Sequence, residues 1–187
     1  MEIATENLTS NSEHWASIDG YTNYQVSWWG RVRNTKTARI LKGKVSPNGY
    51  ISVNLSKKGT KMKTHFIHQL VAREWVPNPE QKRCVDHIDG SRTNNFWENL
   101  RYATHSENSR NQKKHSDGSS IYKGVSWDKL AKKWRAQINI TGRVVNLGGF
   151  EHQRDAAEVY NAAALQHFKE YAKINVFDDF DLPDNSN

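Results

Sequence analysis

Apolar and polar residues change rhythm three times along the chain. From 14 to 64, short strand-like runs such as YQVS (24–27) and GYISVNL (49–55) are punctuated by Gly30, Gly43, Gly49 and Gly59, a pattern of small twisted hairpins. FIHQLVAREW (66–75) then sets Ile67, Leu70, Val71 and Trp75 at helical spacing. VPNPE ends that helix, because proline disfavours a helical residue before it. His68 falls beside the apolar face and reads as a packed or hydrogen-bonded histidine without a catalytic role. RCVDH (83–87) and LRYAT (100–104) are strand candidates around IDGSRTNN (88–95), which has turn chemistry throughout. Thr104 followed by Glu107 forms a capping-box pattern and predicts a helix from that point, with Asn108 just inside its first turn. Beyond the polar QKKHSDGSS (112–120), KKWRAQINI (132–140) alternates. Trp134, Ala136, Ile138 and Ile140 share one face, and Lys133, Arg135, Gln137 and Asn139 share the other. TGR turns into VVNLGGF (144–150), and HQRDAAEVYNAAALQHFKEY (152–171) supplies an alanine-rich helix whose small side chains permit close packing. The expected product is a three-stranded sheet backed by one helix, within a modular α+β chain.

Composition limits what such a chain can be. A length of 187 residues with 36% hydrophobic content supports one or two modest cores. Four Asp lie in 176–187 and three Glu in the first thirteen residues, with no Lys or Arg in either, so setting these seven acids aside raises the formal charge from +7 to +14 for residues 14–175. A body that basic, with a pI near 9.5 and scattered Trp and Tyr, fits a polyanionic partner better than a membrane. A merely soluble basic protein is the plainer alternative. No apolar segment approaches the ~20 residues that span a bilayer, and the opening MEIATENLTSNSEHW has neither a basic nor an apolar signal region. A cytoplasmic location is expected. Cys84 stands alone, so neither a disulfide nor a cysteine-paired zinc site can form within one chain. No structural zinc and no small-molecule cofactor are expected, and any metal must be held by oxygen or imidazole.

The strand, loop, strand and helix from Val85 to Asn108 would bring Asp86, His87, Asn99 and Asn108 into one neighbourhood. The chemistry this suggests is phosphodiester hydrolysis. A hard cation such as Mg²⁺ prefers oxygen and keeps several waters, so one carboxylate and one amide carbonyl, Asp86 and Asn108, can be enough when phosphate supplies the rest. His87 is the candidate base toward an attacking water. Taken alone, DHIDG reads equally well as a tight polar turn.

The stretch IHQLVAREWVPNPEQKRCVDHIDGSRTNNFWENLRYATHSENSRNQ, residues 67–112, resembles the HNH endonuclease family in its phage and homing branch. The resemblance implies a ββα-metal (His-Me finger) unit in which Asp86 and Asn108 bind the metal, His87 is the general base, and Asn99 braces the loop and orients the histidine. The ion expected is Mg²⁺, with Mn²⁺ as a substitute. Asn108 stands where many members have His, as in the phage branch, and a phage gene would place the protein in the bacterial host cytoplasm. Ahead of it, WASIDGYTNYQVSWWGRVRN looks like the modular DNA-binding element found before such nucleases, over about 14–60. There Arg31 and Arg33, with Lys42, Lys44, Lys57, Lys58, Lys61 and Lys63, are candidate phosphate contacts, which give affinity and register without reading sequence. Each of them read singly is equally a solvated basic side chain.

The pieces YKGV, KWRAQI, NLGGF and AAEVYNAAA, within 121–175, resemble the plant ethylene-response-factor (apetala-two type) DNA-binding domain. That family lays its sheet in the major groove, where all base pairs are distinguishable. Carried over by position, Lys123, Ser126, Gln137, Asn139, Val144 and Asn146 would touch DNA, and Arg135 and Arg143 are basic neighbours for phosphate. Several arginines of the plant pattern are absent, so the plant target sequence does not transfer.

The expected organisation is a DNA-binding element at 14–60, the nuclease at 61–112, a linker at 113–120, the sheet domain at 121–175 and an acidic tail at 176–187. The expected activity is sequence-selective nicking of double-stranded DNA by a monomer. The alternatives are a DNA-binding regulator with an inactive nuclease unit and an RNA-binding basic protein.

Overall fold

The computed structural model describes residues 13–57, 59–111 and 118–177. Lys58, most of the expected linker and nearly all of the acidic tail therefore lie outside the described residues. Two units follow one another, Met1–Tyr102 and Ala103–Asn187.

In the first unit, β1 (Trp15–Ser17), β2 (Tyr24–Ser27) and β3 (Val32–Asn34) form an antiparallel sheet in that order. A second sheet joins β4 (Lys44–Val45), β5 (Ile51–Leu55) and β6 (Lys63–Phe66). The helix α1 (Ile67–Trp75) buries Ile67, His68, Leu70, Val71 and Ala72, as its spacing requires. It stops where Val76 turns extended ahead of Pro77. The hairpin β7 (Cys84–His87) and β8 (Leu100–Ala103) follows, with a 3₁₀ turn at Trp97–Asn99 between them.

These elements share one core. Val26 and Val32 of the first sheet, Val53 and Leu55 of the second, Ile67, Leu70 and Val71 of α1, and Leu100 of β8 are buried in a single cluster. The boundary expected at 60/61 thus falls inside a continuous apolar interior. The reason is physical: sheets of three short strands have too little apolar surface to bury alone, and α1 supplies the missing side. Gly30, with φ near +82°, closes the turn from β2 to β3, and a Cβ there would come within 2.8 Å of Asn95 Cβ. The first sheet can therefore approach the polar loop only because residue 30 has no side chain.

The second unit opens with the short helix α2 (His105–Arg110), whose N-cap Thr104 and Glu107 make the reciprocal capping box expected from the sequence. Since α2 belongs to this unit, the expected segment 61–112 is divided at Tyr102/Ala103. Further on, β9 (Val125–Asp128), β10 (Lys133–Ile140) and β11 (Arg143–Phe150) form an antiparallel sheet in the order β11-β10-β9. It is backed by α3 (Gln153–Phe168). Ala156, Ala157 and Ala164 are fully buried, so the helix lies close on the sheet. Simple alternation does not hold throughout β11: the register slips between Ala136 and Gln137, leaving Leu147 as the extra residue of a bulge. Leu147 thereby joins the core while Asn146 keeps its place opposite Gln137.

Candidate active site and nucleic-acid faces

Asp86 and His87 end β7 and are 5% and 4% exposed. The turn after them is closed by Gly90 N–H donating to the His87 carbonyl at 2.9 Å. Asp89 organises the loop beyond: its carboxylate accepts from the Ser91 amide at 2.7 Å, Asn94 Nδ2 at 2.8 Å and Asn99 Nδ2 at 3.0 Å. Burial alone would raise the Asp89 carboxyl, but these hydrogen bonds hold it below its ordinary value.

The imidazole of His87 is held by Asn95, which is itself 5% exposed. His87 Nε2 lies 3.1 Å from Asn95 Oδ1, while Asn95 Nδ2 donates to the Thr93 carbonyl. That second bond turns the amide oxygen toward the ring. A carbonyl oxygen can only accept, so this contact assigns the tautomer with the proton on Nε2 and the lone pair on Nδ1. Burial lowers the His87 pKa; the Asn95 bond and the Asp89 and Asp86 carboxylates partly offset this, and Arg92 adds to the lowering. The ring is therefore neutral near neutral pH, the form a general base needs.

Asn99, expected to brace the loop and orient the histidine, has Oδ1 accepting from the Asp89 amide at 3.1 Å and Nδ2 donating to Asp89 and to the Asn94 carbonyl. Its amide is fully engaged there, and the histidine is oriented by Asn95 instead. Chemistry offered no way to choose among Asn94, Asn95 and Asn99 in the sequence, because the three amides are identical and only the loop's path distinguishes them.

Two more neighbours were not legible beforehand. Arg101 Nε and Nη2 both donate to Asp86 Oδ2, at 2.9 and 2.8 Å. The Ile88 amide bonds the Asn99 carbonyl across the hairpin, and the same register puts Arg101 opposite Asp86, where opposite charges pair well. His68 of α1 is buried, with its ring 5.1 Å from that of His87 and 4.7 Å from that of Tyr50. Its Nδ1 makes no hydrogen bond. Burial, with His87 beside it, lowers its pKa to about 4.

Among the described residues, no three of His, Cys, Asp and Glu are grouped as a protein-only metal cage would require. The donor chemistry fits a hard divalent ion that keeps most of its shell in water and phosphate, because the buried Asp86 carboxylate is a hard oxygen donor. Asn108 stands in the first turn of α2, in the second unit.

Among the expected DNA contacts of the first unit, Arg33 donates twice to Gln25 Oε1 and lies over the Trp15 ring at 4.2 Å. Arg31 pairs with Glu13. In the second unit, the register places Ser126 opposite Arg135, Asn146 opposite Gln137 and Val144 opposite Asn139. Cross-strand partners share a face, and Arg135, Gln137 and Asn139 alternate with core residues, so all six lie on the face away from α3. Arg135 is tied there to Asp128. Two expected residues depart from this set. Arg143 pairs with Ile140 and so has the opposite parity, at the hairpin end. Lys123 donates its ammonium to the Arg110 carbonyl, and burial, with Lys173 nearby, lowers its pKa to about 8.

Strand, amide-rich loop, strand and capped helix thus follow one another along the chain, with a buried Asp-His pair closing the first strand. Residues 65–110 match the HNH endonuclease family, and residues 13–56 match the NUMOD4 motif. An uncharacterised HNH endonuclease of Acanthamoeba polyphaga mimivirus is 41% identical over 110 residues, covering 57% of this chain and 27% of that protein. The DNA endonuclease I-HmuI of Bacillus phage SP01 is 40% identical over 99 residues, covering 52% of this chain and 56% of that protein. The solved structure describing DNA binding and cleavage by I-HmuI aligns with a TM-score of 0.50 at 40% identity, over 53% of this chain and 57% of that one. The chain thus spans little more than half the length of I-HmuI and a smaller share of the mimivirus protein. Among the described residues, no helix is long and apolar enough to cross a membrane.

Proposed function

We propose that the chain is a metal-dependent DNA endonuclease of the HNH homing type, acting as a monomer that nicks one strand of a double-stranded target. The observation that carries this reading is the buried Asp86-His87 pair, with His87 neutral and its Nε2 proton directed at Asn95, inside the segment that matches the HNH endonuclease family. Asp86 would hold the ion, and Asn108 is its second ligand by the motif alone. Mg²⁺ is the ion proposed, with Mn²⁺ able to replace it. Bound there, such an ion supplies charge neutralisation at the scissile phosphate and its leaving oxygen.

The protein's own part is proton transfer and placement. His87 takes the proton of the attacking water at Nδ1 while Nε2–H stays on Asn95, so the ring cannot rotate away from the water it serves. Tyr50 and His68 pack against the ring. Arg31 and Arg33, with Lys42, Lys44, Lys57, Lys58, Lys61 and Lys63, hold phosphate. The face bearing Ser126, Arg135, Gln137, Asn139, Val144 and Asn146 reads bases in the major groove, as its likeness to the ethylene-response-factor domain suggests.

The test is supercoiled plasmid carrying the target, incubated with limiting protein and Mg²⁺, with products resolved and both strands end-mapped. Open circles with ends on one strand are expected, and His87→Ala should bind DNA while cutting roughly 100-fold more slowly or worse. Linear product without an open-circle precursor would refute the monomeric nickase. Cutting by His87→Ala at the wild-type rate from pH 6 to 9 would refute the base assignment.

A further inference from the structure

We propose that Arg101 is the internal counter-ion of the metal site: it occupies the Asp86 carboxylate when no divalent ion is bound, and so weakens the affinity for that ion. This rests on the reading of Asp86 as a metal ligand. A carboxylate as buried as that of Asp86 is costly to desolvate unless a cation lies close by. Arg101 provides one from the facing strand, with a side chain only 15% exposed. Both of its bonds to Asp86 converge on Oδ2. A divalent ion arriving at Asp86 must then displace these two charge-assisted hydrogen bonds or share the carboxylate with a neighbouring positive charge. Both options disfavour binding. The benefit lies in the metal-free protein, where the β7/β8 hairpin carries the buried carboxylate as an ion pair.

Two consequences separate this role from mere scaffolding. Without Arg101 the metal-free protein is less stable, yet the ion binds more tightly. A residue that only shaped the site would weaken binding when removed. Saturating metal should also return much of the lost stability, because an ion that binds the folded state alone stabilises it by mass action.

The experiment is titration of Mn²⁺ into the full chain without DNA, free Mn²⁺ being followed by electron paramagnetic resonance. It is run on the wild type and on Arg101→Met, Arg101→Lys and Asp86→Asn, with melting temperatures read at zero and saturating Mn²⁺. Arg101→Met should bind Mn²⁺ with a Kd about tenfold lower than the wild type, and should melt lower without Mn²⁺ with the gap narrowing at saturation. Arg101→Lys, which keeps the charge with fewer donors, should fall between the two and decides the question if the methionine variant does not fold. Asp86→Asn should lose the site. Mn²⁺ binding that depends on Asp86 but is unchanged or weaker in both Arg101 variants would overturn this inference and leave the nuclease reading intact. Absence of any Asp86-dependent binding in the wild type and the Arg101 variants would overturn the metal-site reading, and this inference with it.

Discussion

His68 makes the first unit acid-sensitive, and replacing it with phenylalanine should remove most of that sensitivity. The ring is buried among Tyr50, Phe66 and His87, and burial lowers its pKa from 6.5 to about 4. In the unfolded chain His68 takes up a proton below about 6.5, while in the fold it stays neutral until about pH 4. Between those values the unfolded state binds more protons, so stability rises with pH across the window. His68 leaves the stability of the neutral protein intact above pH 6.5, withdraws it progressively as pH falls to about 4, and adds no further slope below. At about 1.4 kcal/mol for each tenfold in the proton equilibrium, the loss amounts to about 3 kcal/mol over the window. His68→Phe keeps an aromatic ring in the site, has no proton to take up and removes the unpartnered Nδ1. The assay is native-state hydrogen exchange of the Leu70 and Val71 amides, buried with His68 on α1, measured from pH 4.5 to 7 in both proteins. The variant should match or exceed the wild type at pH 7 and lose less on acidification. A slope still present in it belongs to His87 and His65, whose pKa values are also lowered by burial, and toward pH 4.5 to Asp89, whose carboxyl is held low. Parallel curves for the two proteins would show that His68 titrates as an ordinary histidine, and the argument from burial would fail.

Three further outcomes follow from the geometry. Asn95→Ala should lower kcat on the order of tenfold, a fraction of the ~100- to 10,000-fold that a general base contributes. Because the Asn95 bond raises the His87 pKa, its loss should also move the acidic limb of the kcat/KM profile to lower pH, and a tenfold drop with an unmoved profile would mean the amide acts elsewhere. Gly124→Ala should destabilise the second unit by about 3 kcal/mol or more, since φ is near +76° and the new Cβ would fall 2.0 Å from the Tyr160 ring. Thermal unfolding of the variant checks it, and wild-type stability would show that Tyr160 can withdraw at little cost. Gln137→Ala should cost about 1–3 kcal/mol in binding to the preferred site and relax the base preference at one position, while leaving cutting at saturating DNA unchanged. Selection from a randomised target reads that preference directly, and an unaltered one would remove the sheet face from base recognition.

The sequence by itself determined whatever depends on neighbours along the chain. The spacing of Ile67, Leu70, Val71 and Trp75 specified α1, Thr104 with Glu107 specified the cap of α2, and the alternation of 132–140 specified β10 together with the face that carries Gln137 and Asn139. Backbone periodicity and capping act over a few residues, so they can be read directly from the residues. The Asp86-His87 pair was legible for the same reason, as adjacent functional side chains at a strand end. Tertiary structure alone decided which side chains meet across greater separations. Asn95 rather than Asn99 reached the imidazole because the loop folds back on Asp89. Arg101 reached Asp86 because the hairpin register sets them opposite each other. His68, one buried residue among several on α1, came beside His87 because the shared core packs α1 against β7. The single interior joining 14–60 to the hairpin, and the bulge that turns Leu147 inward, were hidden for a related reason: burial and register are settled by the sum of packing over the whole unit, which no local pattern contains.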